Sequence, residues 1–462
     1  MFAETSLPTP PSNENRHPRL LLWLVAVSMF MQTLDATIVN TALPSMARSL
    51  NESPLHMQAV IVSYSLTMAV LMAASGWLAE RFGTRRIFAT SIVLFIAGSA
   101  ACAASSSLAQ LVAARVVQGA GGAMLMPVGR LAVLRAYPKE RFLQAMSFVA
   151  IPGLIGPLLG PPLGGWLTQA ASWHWIFLIN IPVGAAGLLL THIAMPAMRA
   201  PQPPRFDLRG YLLLAGAMLT ASLTLDGLGS AAIALWVVAL LAIAAAVLLA
   251  RYIRHARRVA APLFPPRLLD ERSFRIGLMG NLAARLGSGA MPYLLPLLLQ
   301  LRLGRAPFES GLMLLPMALS AMLIKPLATS VIGRWGYRRT LVGNTLLLGA
   351  LIASFSIMAY GALPLPLALA LLALFGAANS LQFTAMNTSA LKDLEPHLAA
   401  SGNSLFSMLQ MLGMSLGVSC GALLLRAYSA WLGSGSAAAF AATLITAGAL
   451  TALSALIFRR LD

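Results

Sequence analysis

This 462-residue chain has little charge and very little acidic charge: Asp, Glu, Lys and Arg make up 10% of it, and only 14 residues are acidic. Soluble domains average about 25% charged residues, so a set of ordinary water-facing domains is excluded. Cysteine is almost missing as well. Cys102 and Cys420 both fall inside apolar runs, which suits small buried hydrophobes and gives neither a disulfide framework nor a metal site. The six histidines are scattered, only His192 lies in the interior of an apolar run, and no loop pairs a nucleophile with a base. Nothing resembles a glycine-rich phosphate-binding loop. Enzyme chemistry, a metal, a cofactor and nucleotide-driven work are therefore not expected of this chain.

Apolar sequence is abundant. The chain is 58% hydrophobic with a mean hydropathy of +0.78. Runs of about 20 apolar residues, enough to cross roughly 30 Å of hydrocarbon as a helix, recur fourteen times. They lie near 20–44, 56–79, 87–105, 108–134, 142–167, 174–196, 210–228, 231–250, 274–301, 308–332, 340–360, 363–391, 399–425 and 437–458. The interruptions are short and rich in Gly, Pro, Ser and charge. Any aqueous binding surface has to be made by the helices themselves. The fold class expected is an all-α polytopic membrane protein. Residues 1–19, with Pro8, Pro10, Pro11 and Pro18 and no apolar core, read as a disordered tail and not as a signal peptide.

The net charge of +18 resembles that of a nucleic-acid binder until the cations are placed. With the N-terminus inside, twenty-four of the 32 Lys and Arg fall in internal segments, four outside (Arg48, Arg302, Arg305, Arg426) and four within spans (Arg115, Arg130, Arg285, Lys325). The positive-inside rule is met, with both termini cytoplasmic and an even number of spans. The densest internal segment holds Arg251, Arg254, Arg257, Arg258, Arg267, Arg272 and Arg275. No basic segment is large enough to read a nucleic-acid groove, so no nucleic-acid partner is expected.

The chain repeats itself. Arg81-Phe82-Gly83-Thr84-Arg85-Arg86 recurs as Arg334-Trp335-Gly336-Tyr337-Arg338-Arg339, offset by 253 residues, each copy between the second and third spans of its half. Two six-helix bundles, 20–198 and 273–458, follow, with a 199–272 linker carrying two extra spans and a cytoplasmic end at 459–462. Parallel six-helix repeats are a transporter architecture with the substrate site between the halves.

Four motifs carry a family resemblance. The segment from Gly76 through Glu80, Arg81 and Gly83 to Arg85 and Arg86 is similar to the loop motif of the major facilitator superfamily, and Arg115-Val-Val-Gln118-Gly119 to its fourth-helix arginine motif. Gly156-x-x-x-Gly160-Pro161-x-x-Gly164-Gly165 resembles the fifth-helix antiporter motif. The run from Leu34 and Asp35 through Thr37 and Asn40 to Pro44 resembles the first-helix motif of the fourteen-span drug:proton antiporter branch. One departure is visible: Glu80 stands where the family usually has Asp. The resemblance implies a proton-coupled exporter of small molecules in the bacterial inner membrane, a monomer driven by the proton gradient.

Physical reasons accompany the resemblance. A carboxylate in mid-span is costly, and Asp35 is the only acidic residue deep in any of the twelve core spans. Burial disfavours its charge and a nearby cation favours it, so a carboxyl whose surroundings alternate can load and release a proton. The resemblance places Arg115 against it. The other reading is a buried pair that fixes helix packing. Gly156, Gly160 and Gly164 share one helix face. That face serves either plain small-residue packing or, carried over from the family, the contact between bundles. Glu80 is expected to pair with Arg81, Arg85 or a cation of the other half. The second copy, with Ile332 and Gly333 before Arg334, lacks the acidic partner, so the latch is expected to be asymmetric.

For cargo, Arg285 and Lys325 have no acid within their own spans. Each faces a cavity, a distant carboxylate or an anionic ligand, or else Lys325 snorkels and Arg285 caps a helix broken beside Pro292. An anionic or zwitterionic metabolite or its metal chelate follows from the first reading. Gln32, Asn40, Asn281 and Asn379, with Gln382, Asn387 and Asn403, are intramembrane amides suited to a polar ligand or to interhelical hydrogen bonds. A facilitator or importer has the same sequence features.

Overall fold

The computed structural model describes residues 18–199, 205–228 and 233–461. The tail expected over 1–19, with Arg16, lies almost wholly outside the described residues. Fourteen helical spans follow in order: α1 (Pro18–Ser49), α2 (Gln58–Phe82), α3 (Thr84–Ala103), α4 (Leu108–Ala136), α5 (Lys139–Ala170), α6 (Trp175–Ala194), α7 (Leu208–Leu228), α8 (Leu235–Ala256), α9 (Arg272–Arg302), α10 (307–335), α11 (337–359), α12 (Leu365–Leu391), α13 (Pro396–Leu432) and α14 (Ala437–Phe458).

The repeated glycines explain two of the boundaries. Gly83, at φ 92° and ψ 144°, turns the chain between α2 and α3, and Gly336, at φ 73° and ψ 165°, does the same between α10 and α11. Gly336 is the one position with non-helical backbone angles between Lys325 and Ala359, and it divides that stretch between α10 and α11. Both glycines sit at positive φ, where a Cβ would be strained. The duplicated basic segment is thus a duplicated backbone corner.

Prolines break other spans. α10 is assembled from Pro307–Met313, Leu315–Leu323 and a piece beginning at Lys325, with Pro316 and Pro326 at the second position of the later two. A proline has no N–H to donate and disfavours helix at the residue before it. α9 likewise pauses at Gly289–Ala290 ahead of Pro292 and closes in a π-turn over Leu298–Arg302 after Pro296. α6 kinks at Ile179, where Trp175–Leu178 gives way to Asn180–Ala194.

In the first half α1 packs along α5, and α4 lies against both α2 and α3. In the second half α11 packs on α14 and α12. The halves meet where α2 lies on α13 and α5 on the start of α10. On the side opposite the Arg81–Arg86 loop they are also joined by hydrogen bonds. Tyr293 Oη donates to the Pro54 carbonyl at 3.3 Å, Gln300 Nε2 to the Thr41 carbonyl at 2.8 Å, and the Phe308 N–H to Gln169 Oε1 at 3.3 Å. The extra spans form a hairpin: α7 packs on α8, and Leu214 and Met218 of α7 join an apolar cluster with Leu66 and Ala69 of α2 and Met408 and Leu412 of α13.

Candidate functional site: a buried ion pair in the first half

Asp35 lies on α1 with no solvent exposure, and Arg115 on α4 is 2% exposed. The guanidinium donates from Nη1 to Asp35 Oδ2 at 2.7 Å. Two amides complete the carboxylate's shell. Gln118 Nε2 donates to Oδ1 at 2.7 Å and Asn180 Nδ2 donates to Oδ1 at 2.9 Å. Arg115 and Gln118 are three residues apart, so both project from one face of α4. Asn180 is delivered by the kink in α6. Three donors from two helices satisfy both oxygens of this side chain away from water.

Arg115 has further partners. Its Nη1 also reaches Gln118 Oε1 at 2.6 Å, its Nε donates to the Val60 carbonyl of α2 at 3.3 Å, and its guanidinium lies 4.0 Å from the centroid of the Tyr64 ring. Gln118 Nε2 donates to Ser99 Oγ of α3 at 2.8 Å, and Cys102 Sγ lies 3.7 Å from Gln118 Oε1. Side chains or carbonyls of five helices, α1, α2, α3, α4 and α6, meet at one buried point. The sequence signalled Asp35 and Arg115 and held Gln118 inside a motif without giving it a role. It gave no sign of Asn180, Ser99 or Tyr64. An amide at the kink before Pro182 was the one available cue.

Of the two readings of the glycine face, the structure shows close packing within the first half and not the contact between bundles. A Cβ on Gly156, Gly160 or Gly164 would run into Thr33, Thr37 or the Ile38 carbonyl, all on α1. That face seals α5 to α1 inside the first half. The contact between halves is made one residue further round the helix: a Cβ on Gly165 would strike the Pro307 carbonyl of α10, and one on Gly311 the Pro161 carbonyl. Small residues are needed in both places, because backbones touch.

The basic loop is also held within its own half. Glu80 pairs with Arg135 of α4 at 3.6 Å, both about one-third exposed. Arg85 Nε donates to the Met195 carbonyl at 2.6 Å, and Thr84 N–H to the Met198 carbonyl at 2.9 Å. Arg81 and Arg86 are exposed, and Gly76 has open space around it. In the second copy Arg334, Arg338 and Arg339 are exposed with no ion pair among the described residues. The asymmetry is present, and the first copy's partner comes from α4.

In the second half Arg285 Nε donates to Asn281 Oδ1 at 3.0 Å, and its stem lies beside Gly413 of α13. Asn281 is fully buried with its Nδ2 unpartnered. Lys325 is half-buried, and neither cation has a carboxylate partner among the described residues. Gln32 and Asn40 are buried on α1, each with its amide oxygen unpartnered, and Asn379 is exposed on α12. Gln382 instead links α12 to α11, accepting from Asn344 at 2.8 Å and donating to Thr345 at 2.6 Å. Arg130 lines a cavity of about 280 Å³ between α1, α4 and α5 with Met29, Met126 and Met146.

A model of the Major Facilitator Superfamily matches residues 25–418. The chain belongs to the major facilitator superfamily. It is therefore a transporter, not an enzyme, and a multi-pass membrane protein. It is 52% identical over 451 residues to the "Putative multidrug resistance protein MdtD" of Klebsiella pneumoniae strain 342, covering 96% of this chain and 94% of that one. The protein of the same description from Pectobacterium atrosepticum is 50% identical over 451 residues, covering 96% and 95%. Among solved superfamily folds, a POT family transporter crystallised with 5-aminolevulinic acid superposes with a TM-score of 0.70 at 15% identity, covering 96% of this chain and 95% of that one.

Proposed function

We propose that this transporter is a proton-coupled antiporter that exports small molecules across the bacterial inner membrane by alternating access, acting as a monomer with both termini cytoplasmic. It draws on the proton gradient and needs no cofactor or nucleic-acid partner. One observation carries the reading: Arg115 holds Asp35 and at the same time keeps three other partners, Gln118, the Val60 carbonyl and the Tyr64 ring. Protonation of Asp35 removes the charge that Arg115 answers. The guanidinium then remains bonded through its other contacts and is not left bare, so α1 is free to shift against α4. A switch between two satisfied arrangements is what an alternating-access step requires.

The seal between Gly165 and Pro307 and the bonds from Tyr293, Gln300 and Phe308 close the side opposite the basic loop. With that side closed and Asp35 shut away from solvent, proton release belongs to a step that opens the loop side, which in the proposed orientation is the cytoplasm. Proton entry from outside needs those contacts to part. A facilitator or importer can use the same machinery, with direction set by the gradients.

The cargo reading rests on a separate observation. Arg130 faces a cavity, and Arg285 and Lys325 lack carboxylate partners among the described residues. Unneutralised cations within a span favour an anionic or zwitterionic cargo, such as a carboxylate-rich metabolite or its metal chelate. Everted membrane vesicles, with proton release followed by fluorescence as cationic drugs or citrate-like anions are added, test both parts. Anion-evoked proton movement that disappears in Arg285→Gln and Lys325→Gln supports the cargo reading. Movement evoked only by cationic drugs, and unchanged in those variants, overturns it.

A further inference from the structure

The richest basic cluster of the chain is not part of the transport site. It lies on the α7–α8 hairpin, around a groove of about 750 Å³ lined by Arg209, Arg251, Arg254, His255, Arg258 and Leu213. Arg251, Arg254 and His255 are spaced by three and four residues and so share one face of the last turns of α8, and Arg258 follows in the turn just after the helix. Arg209 stands opposite, in the first turn of α7. The four arginines are exposed and their side chains form no ion pair among the described residues.

The carboxylate bonded to His255 of the groove wall is fully engaged. Asp207, with its side chain 5% exposed, accepts from His255 Nε2 at 2.7 Å, from the Gly210 N–H at 2.9 Å and from the Leu263 N–H at 3.1 Å. It fixes the start of α7 to the end of α8 without neutralising the arginines. A second, apolar groove continues from the first. Leu208, Leu212, Leu213 and Leu248 line about 520 Å³, and Arg209 and Leu213 belong to both grooves.

An arginine-lined recess at the end of two spans, continuous with an open, leucine-lined surface along them, matches an ion with a hydrocarbon tail. We propose that the α7–α8 groove is a binding site for an anionic phospholipid. Its phosphate is held by Arg209, Arg251, Arg254 and Arg258, and an acyl chain lies along Leu208, Leu212 and Leu248. Guanidinium forks suit phosphate oxygens, and basic pockets between helices at a membrane face attract anionic headgroups. The groove opens at the same end as the basic loop of the first half, since the Phe206 ring just before α7 lies 4.7 Å from the Trp77 ring of α2. The leaflet is therefore the one on that side. Because α7 packs on α2 and on α13, the lipid stands at the seam where the halves move.

The test uses the full-length protein purified in detergent, with phosphatidylglycerol, diphosphatidylglycerol, phosphatidylcholine or inorganic phosphate added and bound species resolved by native mass spectrometry. The two anionic lipids should be retained and phosphatidylcholine should not. Inorganic phosphate should fail to displace them, because it lacks the tail. The triple variant Arg251→Ala, Arg254→Ala, Arg258→Ala should bind on the order of a hundredfold more weakly, about fivefold for each arginine. Alanine at Arg334, Arg338 and Arg339 should change nothing. If the triple variant does not insert, the single variant Arg254→Gln should weaken binding about fivefold. Equal retention of phosphatidylcholine, full displacement by inorganic phosphate, or unchanged lipid binding in either α8 variant would overturn the proposal.

Discussion

Arg115 meets Asp35 at 2.7 Å in a place that water does not reach. Removing one member of such a pair leaves a bare charge in a low-dielectric interior, a cost of about 3–5 kcal/mol. Asp35→Asn and Arg115→Gln should therefore each lower the thermal stability of the purified protein. The double variant should recover much of that loss but none of the proton-coupled transport. Recovery of both would reduce the pair to a packing device, and melting curves with vesicle transport assays distinguish the two results.

Asn180 contributes one of the three donors to the Asp35 carboxylate. A hydrogen bond to a charged group is worth about 1.5–3 kcal/mol, so Asn180→Leu should destabilise the first half by that order. Gln382→Leu is the comparison, because its hydrogen bonds to Asn344 and Thr345 involve no charge. It should cost about 1 kcal/mol for each bond lost. Thermal unfolding of the two variants side by side checks the difference.

The glycines of α5 divide into two roles that substitution can separate. A side chain at Gly160 collides with Thr37 inside the first half, so Gly160→Leu should sharply reduce the yield of folded protein. One at Gly165 collides with the Pro307 carbonyl across the halves. Gly165→Ala should leave the yield intact and shift the protein toward a form open opposite the basic loop. Cysteine labelling at Gln169 and Phe308, introduced as single cysteines, measures the opening.

For the loop, the Glu80–Arg135 pair is partly exposed and worth about 0–1 kcal/mol. Arg85 anchors the corner more firmly through its bond to the Met195 carbonyl. Arg85→Ala should therefore impair transport and stability more than Glu80→Gln does, in assays of both variants at matched expression.

Asp207 gives a pH dependence with a defined sign. Burial alone would raise its carboxyl, but the bond to His255 and the N–H groups of Gly210 and Leu263 hold it below the usual carboxylate range. A depressed carboxyl stabilises the fold fully above the unfolded value, about 3.9. That stabilisation is lost only as pH falls below it toward the folded value. Hydrogen exchange at the start of α7 should stay slow through neutral and mildly acid pH and accelerate only below about pH 4.

Much of this architecture was legible because a bilayer imposes a length on every apolar run. The fourteen spans and the duplicated corner at Gly83 and Gly336 follow from run length and repetition. Charge in mid-span marked Asp35 and Arg115 for the same reason, since such residues are rare. Asn180 and Ser99 went unmarked because an uncharged polar group in a span is cheap enough to be common. The α5 glycines show a different limit: a spacing of four identifies a face, but not the helix it meets. Gly156, Gly160 and Gly164 meet α1, while Gly165 alone of the motif's glycines meets α10.

The central claim is that Asp35 takes up and releases the coupled proton. Infrared difference spectroscopy of the purified protein, titrated in both directions and repeated with Asp35→Asn, tests it without knowledge of the cargo. A protonated-carboxyl band that grows reversibly as pH falls, and is missing from Asp35→Asn, is the expected result. A band that persists in Asp35→Asn, or a carboxylate that stays ionised throughout the range in which the protein remains folded, would contradict it.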